Sequence, residues 1–232
     1  MSIVMNNVQK KYGSDETAVY ALKKVNLQIE DGEICVILGP SGSGKSTLLN
    51  MLGGLDTVDE GEISIGNEEI SNFSEKELIE YRRKKIGFVF QFYNLIPDLT
   101  VEENIRVVED ISSQPLNLDG ILQALDLDDY RKRFPNELSG GQQQRVAIGR
   151  AMIKNPEVLL CDELTGALDS KTSKNVLEFV EKINKKYGTT IVIITHNEQI
   201  SNMASRIIRI HDGQIIENKI NDSRLKVEDI AL

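Results

Sequence analysis

The alternation of hydrophobic and polar residues predicts an α/β fold built on a mostly parallel sheet. The apolar run at residues 34–38 lies between polar residues and a glycine, and such a run is typical of a strand buried on both faces. Further apolar runs of strand length lie at residues 86–91, 158–161, 190–194 and 207–210. Predicted helices separate several of these runs, which favours parallel strands.

A second group of strands is predicted to form an antiparallel layer beside this sheet. Residues 3–8 and 21–29 have strand patterns, and residues 62–65 alternate between polar and apolar side chains before a Gly66-Asn67 turn. Another turn, at Asp212-Gly213, predicts that residues 214–217 form a hairpin with the strand before them.

Capping signals and apolar stripes predict the helices. Ser74 and Thr100 each precede a glutamate by three residues, which is the capping-box pattern of a helix N-terminus. The predicted helices span residues 46–52, 74–85, 100–111, 118–130, 142–153 and 173–187. We expect one domain over residues 1–232, in which a helical segment at residues 92–153 is inserted between the β-containing parts at residues 1–91 and 154–232.

Composition narrows the class of protein. Apolar residues make up 40% of the 232 residues, which is ordinary for a globular protein with a sizeable core. The net charge of −9 argues against a general nucleic-acid binder, since such proteins present a basic face. No apolar run approaches the roughly 20 residues that span a bilayer, so we expect membrane contact only through another protein. Cys35 and Cys161 lie in apolar strand patterns and are predicted to be buried thiols.

A glycine-rich turn between the predicted strand 34–38 and helix 46–52 carries the clearest chemical signal. It matches the phosphate-loop pattern G-x-x-x-x-G-K-[ST] in the strand-to-helix context that the pattern requires. In such a loop, backbone N–H groups converge on phosphate oxygens, the lysine reaches the β- and γ-phosphates, and a hydroxyl contributes to a Mg²⁺ site. The residues predicted to bind ATP here are Gly39, Pro40, Ser41, Gly42, Ser43, Gly44, Lys45, Ser46 and Thr47, with Ser46 on the metal.

Two further stretches fit a triphosphate site. Asp162 ends an apolar run, so we expect its carboxylate at the carboxyl edge of the sheet, where it can hold Mg²⁺ directly or through water. Glu163 follows it and is placed to orient or deprotonate an attacking water. Residues 138–142 read Leu-Ser-Gly-Gly-Gln before a predicted helix, which makes a second helix N-terminus suited to an anion. One phosphate loop already satisfies one ATP, so the residues alone leave the role of this second terminus open.

The order of phosphate loop, Leu-Ser-Gly-Gly-Gln and apolar strand with Asp-Glu resembles that of the ATP-binding-cassette (ABC) ATPases over nearly the whole chain. The resemblance implies a P-loop NTPase core of the RecA-like type, with ATP and Mg²⁺ as ligands. It implies catalytic roles for Lys45, Gln91, Glu163 and His196, adenine stacking by Tyr12, and Mg²⁺ contacts from Ser46, Gln91 and Asp162. It also implies that Ser139, Gly140, Gly141 and Gln142 face the γ-phosphate held by a second copy, so that two chains sandwich two ATP molecules head to tail, with residues 167–169 along the seam.

Residues 86–97 and 163–169 look most like the lipoprotein-releasing and macrolide-efflux subfamily. The resemblance implies attachment to the inner face of the cell membrane through a permease with a large extracytoplasmic domain, for lipoprotein release or for export of macrolides or antimicrobial peptides. The alternative is a soluble ABC-type ATPase acting on DNA or ribosomes, although the chain has neither the long insertions nor the second cassette of those relatives. Leu164 stands where the family usually has proline, and Asn197 where many members have aspartate.

Overall fold

The computed structural model describes residues 2–14 and 17–232, and ten strands and six α-helices form within them. The strands are β1 (Ile3–Tyr12), β2 (Val19–Ile29), β3 (Ile34–Leu38), β4 (Glu60–Ile65), β5 (Glu68–Glu69), β6 (Ile86–Val89), β7 (Val158–Asp162), β8 (Thr190–Thr195), β9 (Arg206–His211) and β10 (Gln214–Ile220). The helices are α1 (Lys45–Leu52), α2 (Glu75–Lys85), α3 (Val101–Arg106), α4 (Leu118–Ala124), α5 (Gly140–Met152) and α6 (Ser170–Tyr187). Short 3₁₀ segments lie at Glu109–Ile111, Asp128–Tyr130, Pro135–Glu137, Glu198–Met203 and Val227–Asp229.

The central sheet has the order β10-β9-β3-β8-β7-β6. Its strands are parallel from β9 to β6, and β10 pairs antiparallel with β9 at one edge. The hairpin between β9 and β10 turns through Asp212 and Gly213, whose φ angles of 46° and 74° both lie in the left-handed region. Tight hairpin turns favour this conformation because it matches the twist of the two strands. The predicted mostly parallel sheet and its terminal hairpin are therefore confirmed.

A four-stranded antiparallel sheet of order β2-β1-β4-β5 packs beside the central sheet. Side chains along β3 point alternately to the two faces of the central sheet. Cys35 and Ile37 pack with the antiparallel layer and α1, whereas Ile34, Val36 and Leu38 pack with the helices on the other face. Both predicted buried thiols, Cys35 and Cys161, are buried. The central sheet thus lies between two hydrophobic cores.

The two predicted capping boxes form as expected, at Ser74 before α2 and at Thr100 before α3. The predicted strand at residues 86–91 is shorter, because β6 ends at Val89 and Phe90 and Gln91 lie beyond it. Two helices begin earlier than the apolar pattern suggested, since Ser139 caps α5 and Asp169 caps α6.

Two predicted helices are broken. The segment at residues 118–130 divides into α4 and a 3₁₀ turn, because Asp126 between them has a φ of 53° and cannot continue a right-handed helix. The segment at residues 100–111 is α-helical only as far as Arg106 and ends in the 3₁₀ segment Glu109–Ile111. Ile111 at its end is exposed, although its stripe partners Val101 and Ile105 are buried. The boundaries of a helical subdomain at residues 92–153 stay a prediction. Within residues 2–14 and 17–232, none of the helices combines the length and the apolar character that a membrane crossing requires.

Candidate functional site

The phosphate loop runs from the end of β3 to the start of α1, and two of its glycines are required by close approach of the backbone. A Cβ at Gly39 would clash with the carbonyl oxygen of Ile210, and one at Gly44 would clash with the carbonyl oxygen of Ala21. Gly44 also has a φ of 104° as the N-cap residue of α1, a conformation that L side chains rarely adopt. The loop therefore packs closely against β9 and β2. It leads into the N-terminus of α1, the end of a helix that attracts anions.

Lys45 is buried at the first turn of α1. Its Nζ donates hydrogen bonds to the carbonyl oxygens of Gly39 and Pro40, at 2.8 and 2.9 Å. Burial lowers the pKa of Lys45, against the opposing effect of the nearby carboxylates of Glu163 and Asp162. The Lys45 ammonium is buried and its two hydrogen-bond acceptors are uncharged carbonyls. An anion bound at this loop would therefore stabilise the charged form of Lys45.

The acidic pair lies across from the loop at the carboxyl end of β7. Glu163 has a φ of 48°, an uncommon conformation for a residue with a side chain, and its N–H donates to the Ile194 carbonyl oxygen at 3.0 Å. Burial and the neighbouring charge of Glu163 raise the pKa of Asp162. Because β7 and β8 are adjacent and parallel, His196 after β8 reaches Glu163, with Nδ1 lying 3.1 and 3.0 Å from the two carboxylate oxygens.

These elements enclose an open cleft of about 550 Å³. The predicted site residues that line it are Tyr12, Ser41, Gly42, Gly44, Lys45, Ser46, Thr47, Gln91, Asp162, Glu163 and His196. Gly39, Pro40 and Ser43 belong to the same loop but do not line the cleft, and the Ser43 side chain is buried. Val19, Tyr20 and Ala21 also line the cleft and were not predicted as site residues. The sequence contained no clear signal for them, because Val19 and Tyr20 read as ordinary strand residues and only the structure shows that both large apolar side chains are exposed.

The Leu-Ser-Gly-Gly-Gln stretch lies apart from this cleft, and none of Ser139, Gly140, Gly141 and Gln142 lines it. Ser139 is exposed and forms a capping box with Gln142. Its Oγ accepts from the Gln142 N–H at 3.3 Å, and the Gln142 side chain accepts from the Ser139 N–H at 2.8 Å. Gly141 is buried against Thr172 at the start of α6. The second predicted anion-binding terminus is therefore solvent-exposed at Ser139 and is not part of the cleft formed by the phosphate loop of its own chain.

Three oxygen-bearing side chains in the cleft suit Mg²⁺. The Ser46 hydroxyl, the Gln91 amide oxygen and the Asp162 carboxylate are hard donors, which Mg²⁺ prefers. Across the described residues, no group of three or more histidines, cysteines and carboxylates is close enough to hold a metal ion. Mg²⁺ is commonly bound by one or two protein oxygens together with substrate phosphates. The donor set therefore fits a magnesium ion that arrives with a nucleotide.

Comparison with known proteins agrees with this geometry. The sequence model described as "ABC transporter" matches residues 22–166. The chain belongs to the ABC transporter family. Membership confirms the expected P-loop NTPase fold and the expected ATPase activity with ATP and Mg²⁺. The roles of individual residues in the cleft stay predictions.

Several relatives match this ABC cassette over most of its length. It is 45% identical over 222 residues to the uncharacterized ABC transporter ATP-binding protein MJ0796 of Methanocaldococcus jannaschii, a match that covers 92% of this chain and 94% of the relative. It is 44% identical over 219 residues to the macrolide export ATP-binding/permease protein MacB of Pasteurella multocida, covering 92% of this chain but 34% of MacB. The solved dimeric structure of MJ0796 has a TM-score of 0.84 at 42% identity, covering 94% of this chain and 98% of that one.

Proposed function

We propose that two copies of this chain bind two Mg-ATP molecules head to tail, with each ATP held between the phosphate loop of one copy and residues 138–142 of the other. The observation that carries this proposal is the position of Ser139. It caps the exposed N-terminus of α5, which suits a phosphate, yet it lies outside the cleft of its own chain. A head-to-tail dimer supplies the missing phosphate from the partner.

The cleft residues account for hydrolysis in this proposal. Glu163 accepts a proton from the attacking water, and its hydrogen bond with His196 fixes the carboxylate for that task. Lys45 exchanges its bonds to the Gly39 and Pro40 carbonyls for bonds to the phosphates. Mg²⁺, when bound near Ser46, Gln91 and Asp162, would supply Lewis-acid polarisation and neutralise phosphate charge.

Solved relatives support a dimeric arrangement of the cassette. MJ0796 is described in one structure as a dimeric cassette, and in another as a dimeric post-hydrolysis state bound to ADP and Pi. The second structure has a TM-score of 0.83 to this chain at 41% identity. In the present proposal, loss of the γ-phosphate removes the group that both copies contact, and the two copies then separate.

The proposed permease contact is a second cleft, of about 200 Å³, beside the β6–Gln91 segment. Its apolar part is formed by Leu55, Ile86, Phe88, Phe90, Val108 and Ala151, and its cationic part by Arg82, Arg150 and Lys154. The cations donate to backbone carbonyls, and within the described chain no carboxylate lies within ion-pair distance of them. Burial, together with the charge of Arg82, lowers the pKa of Lys154 to about 8.

This combination fits a short amphipathic helix that carries a carboxylate, because apolar contact is available and the partly buried positive charge has no counter-ion. We therefore place the permease against this cleft and propose that the ATPase is attached to the inner membrane face through it. Similarity to the macrolide export ATP-binding/permease protein MacB supports a permease partner. We propose, from the subfamily resemblance of residues 86–97 and 163–169, that this permease has an extracytoplasmic domain and is of the lipoprotein-release, macrolide-export or peptide-export type. The cleft lies next to Gln91, so changes at the nucleotide can reach the partner.

Glu163→Gln tests the dimer and the hydrolytic assignment together. The amide keeps the shape of the carboxylate but cannot accept the proton, so we expect ATP binding to persist, turnover to stop and an ATP-dependent dimer to accumulate on size-exclusion chromatography with light scattering. Glu62→Gln, at an exposed glutamate on β4 outside the cleft and away from residues 138–142 in sequence, is the control. Turnover at the parental rate in Glu163→Gln would remove Glu163 from its role, and a monomer under saturating Mg-ATP would contradict the shared sites.

Membrane partnership needs a separate test. A tagged chain is expected to co-purify with an integral membrane protein from detergent-solubilised membranes, and this interaction is expected to weaken when Lys154 is changed to Glu. Retention on ribosomes or DNA in place of a membrane protein would favour the alternative of a soluble ABC-type ATPase.

A further inference from the structure

Tyr12 is held at the rim of the nucleotide cleft by a side chain from a different element. It is the last residue of β1, lines the cleft and is 43% exposed. Its hydroxyl donates to Asp56 Oδ2 at 2.6 Å. Asp56 lies in the segment after α1, the helix whose first turn completes the phosphate loop. One hydrogen bond thus connects the aromatic rim of the cleft to the element that carries its phosphate-binding end.

Asp56 is itself fixed by partners on its other oxygen. Oδ1 accepts from Lys10 Nζ at 2.7 Å and from the Thr57 N–H at 2.7 Å. Lys10 is only 7% exposed and also donates to the Thr57 carbonyl oxygen at 2.7 Å. Burial would raise the pKa of Asp56, but the hydrogen bonds from Lys10 and Tyr12 outweigh it and lower the pKa. The carboxylate is therefore ionised at neutral pH and is a strong acceptor for the Tyr12 hydroxyl.

Lys10 also acts on the ring directly. Its Nζ lies 5.4 Å from the centroid of the Tyr12 ring, within the range of a cation–π contact. Two contacts, one at the hydroxyl and one at a face, restrict rotation about the side-chain bonds of an otherwise exposed tyrosine. Binding to a ring that is already ordered avoids the entropy cost of ordering it on association. Because Tyr12 is 43% exposed despite these contacts, part of its surface stays available to a flat ligand.

We infer that Asp56, supported by Lys10, is a positioning residue that holds the Tyr12 ring as a stacking platform for the aromatic base of the nucleotide. The inference rests on the proposed placement of the base at Tyr12. Asp56 does not touch the base in this arrangement; it acts through the ring. The contribution is therefore specific to ligands that carry a base, because this arrangement gives the phosphates no contact with Asp56 or with the Tyr12 ring.

A purely structural role for the same three residues makes a different prediction. If the hydrogen bonds among Lys10, Asp56 and Tyr12 only join β1 to the segment after α1, their loss lowers stability and weakens base-containing and base-free ligands alike. Inorganic tripolyphosphate separates the two roles, since it offers phosphates to Lys45 without a base. If the residues position the ring, substituting them lowers the affinity for ATP and leaves the affinity for tripolyphosphate unchanged.

The test uses Tyr12→Phe, which keeps the ring and removes the hydroxyl, and Asp56→Asn, which keeps the shape of the acceptor and removes its charge. Asp59→Asn is the matched control, because Asp59 is a second carboxylate near Lys10, 3.7 Å from its Nζ, and accepts from the Lys11 N–H at 2.6 Å. The Tyr12 hydroxyl donates to Asp56 instead, so this control keeps the contact under test. Calorimetric titration with Mg-ATP and with magnesium tripolyphosphate gives the dissociation constants, and thermal unfolding checks that each variant is folded.

Tyr12→Phe and Asp56→Asn are each expected to weaken ATP binding about two- to tenfold, the effect of losing one hydrogen bond. The affinity of both variants for tripolyphosphate is expected to stay within twofold of the parent. The double variant Tyr12→Phe/Asp56→Asn is expected to bind ATP no more weakly than Asp56→Asn alone, since both changes break the same hydrogen bond. Asp59→Asn is expected to match the parent for both ligands.

Two results would overturn the positioning role: equal weakening for tripolyphosphate, or unchanged ATP affinity in both Tyr12→Phe and Asp56→Asn. Tyr12→Ala distinguishes these from a failure of the base placement at Tyr12, on which the inference rests; the shared ATP sites are tested separately by Glu163→Gln. If Tyr12→Ala weakens ATP binding while the other two variants do not, the base platform stands and only the role of Asp56 fails. If Tyr12→Ala has no effect, the base does not lie at Tyr12 and both fail.

Discussion

Replacing Gly141 with alanine gives a sharp test of how the Leu-Ser-Gly-Gly-Gln stretch is built. Gly141 lies near the start of α5, and an added Cβ would clash with the Cγ2 methyl of Thr172, whereas the next nearest atom, Thr172 Cβ, lies at an ordinary 3.7 Å. Thr172 cannot simply rotate away, because its Oγ1 donates to Asp169 Oδ2 at 2.6 Å and its N–H donates to Asp169 Oδ1 at 3.0 Å. The clash is thus confined to one methyl group on a fixed side chain.

The size of the effect follows from two opposing contributions. Overpacking of this kind costs about 1–3 kcal/mol. The higher helix propensity of alanine stabilises the folded state by up to about 1 kcal/mol relative to glycine. With middle values of about 2 kcal/mol for the cost and about 0.5 kcal/mol for the gain, Gly141→Ala is expected to lower the free energy of unfolding by about 1.5 kcal/mol, which corresponds to about 3–6 °C in Tm for a domain of this size.

Thermal unfolding of a double variant tests the cause. Thr172→Ser removes the clashing methyl and keeps the hydroxyl bonded to Asp169, so Gly141→Ala/Thr172→Ser is expected to unfold at a higher temperature than Gly141→Ala alone. Gly120→Ala in α4 is the control, because its Cβ would have no neighbour closer than 3.7 Å. A double variant with a Tm no higher than that of the single one would refute the clash. Recovery of Tm without recovery of ATPase activity would show that the glycine also serves the ligand.

Three further changes test the site and its surroundings. Leu164→Pro is expected to change kcat a few-fold and to lower Tm, because Leu164 is buried in the core and a residue before proline favours extended backbone, whereas Glu163 has a φ of 48°; unchanged kcat and Tm would make this departure from the family neutral. Asp162→Asn is expected to abolish Mg²⁺-dependent turnover yet raise the Tm of the nucleotide-free protein at pH 7. The raised pKa of Asp162 means that its ionised form destabilises the fold, an effect that disappears as the pH falls below its unfolded-state value; a lower Tm at pH 7 would contradict this. Lys154→Glu is expected to weaken retention on membranes, whereas the exposed control Lys132→Glu is not, and equal loss in both would argue against the cationic cleft.

Local signals in the sequence predicted much of the fold. The run at residues 34–38 matched β3 because a strand buried on both faces needs an unbroken apolar sequence. Ser74 and Thr100 marked helix starts because a capping box uses residues three positions apart and needs no tertiary partner. The phosphate loop was equally local, since its glycines, lysine and serine act within one strand–turn–helix unit.

Features set by distant contacts could not be predicted in this way. The left-handed backbone of Asp126, which separates α4 from the following 3₁₀ turn, leaves no strong pattern in a segment that otherwise looks helical. The bond between Tyr12 and Asp56 joins residues 44 positions apart. Val19 lines the cleft only because β2 pairs with β1 beside it, a consequence of sheet register and not of any motif.

Mixed dimers provide the most direct test of the shared nucleotide site. Ser139→Arg and Lys45→Ala are each inactive in this account, but a mixed dimer has one site that carries both changes and one that carries neither. Combining the two inactive variants should therefore restore about a quarter of the parental ATPase activity, since half of randomly assorted dimers are mixed and each has one intact site of two. No recovery from two folded variants that still associate would contradict the proposal that each ATP is bound by both copies.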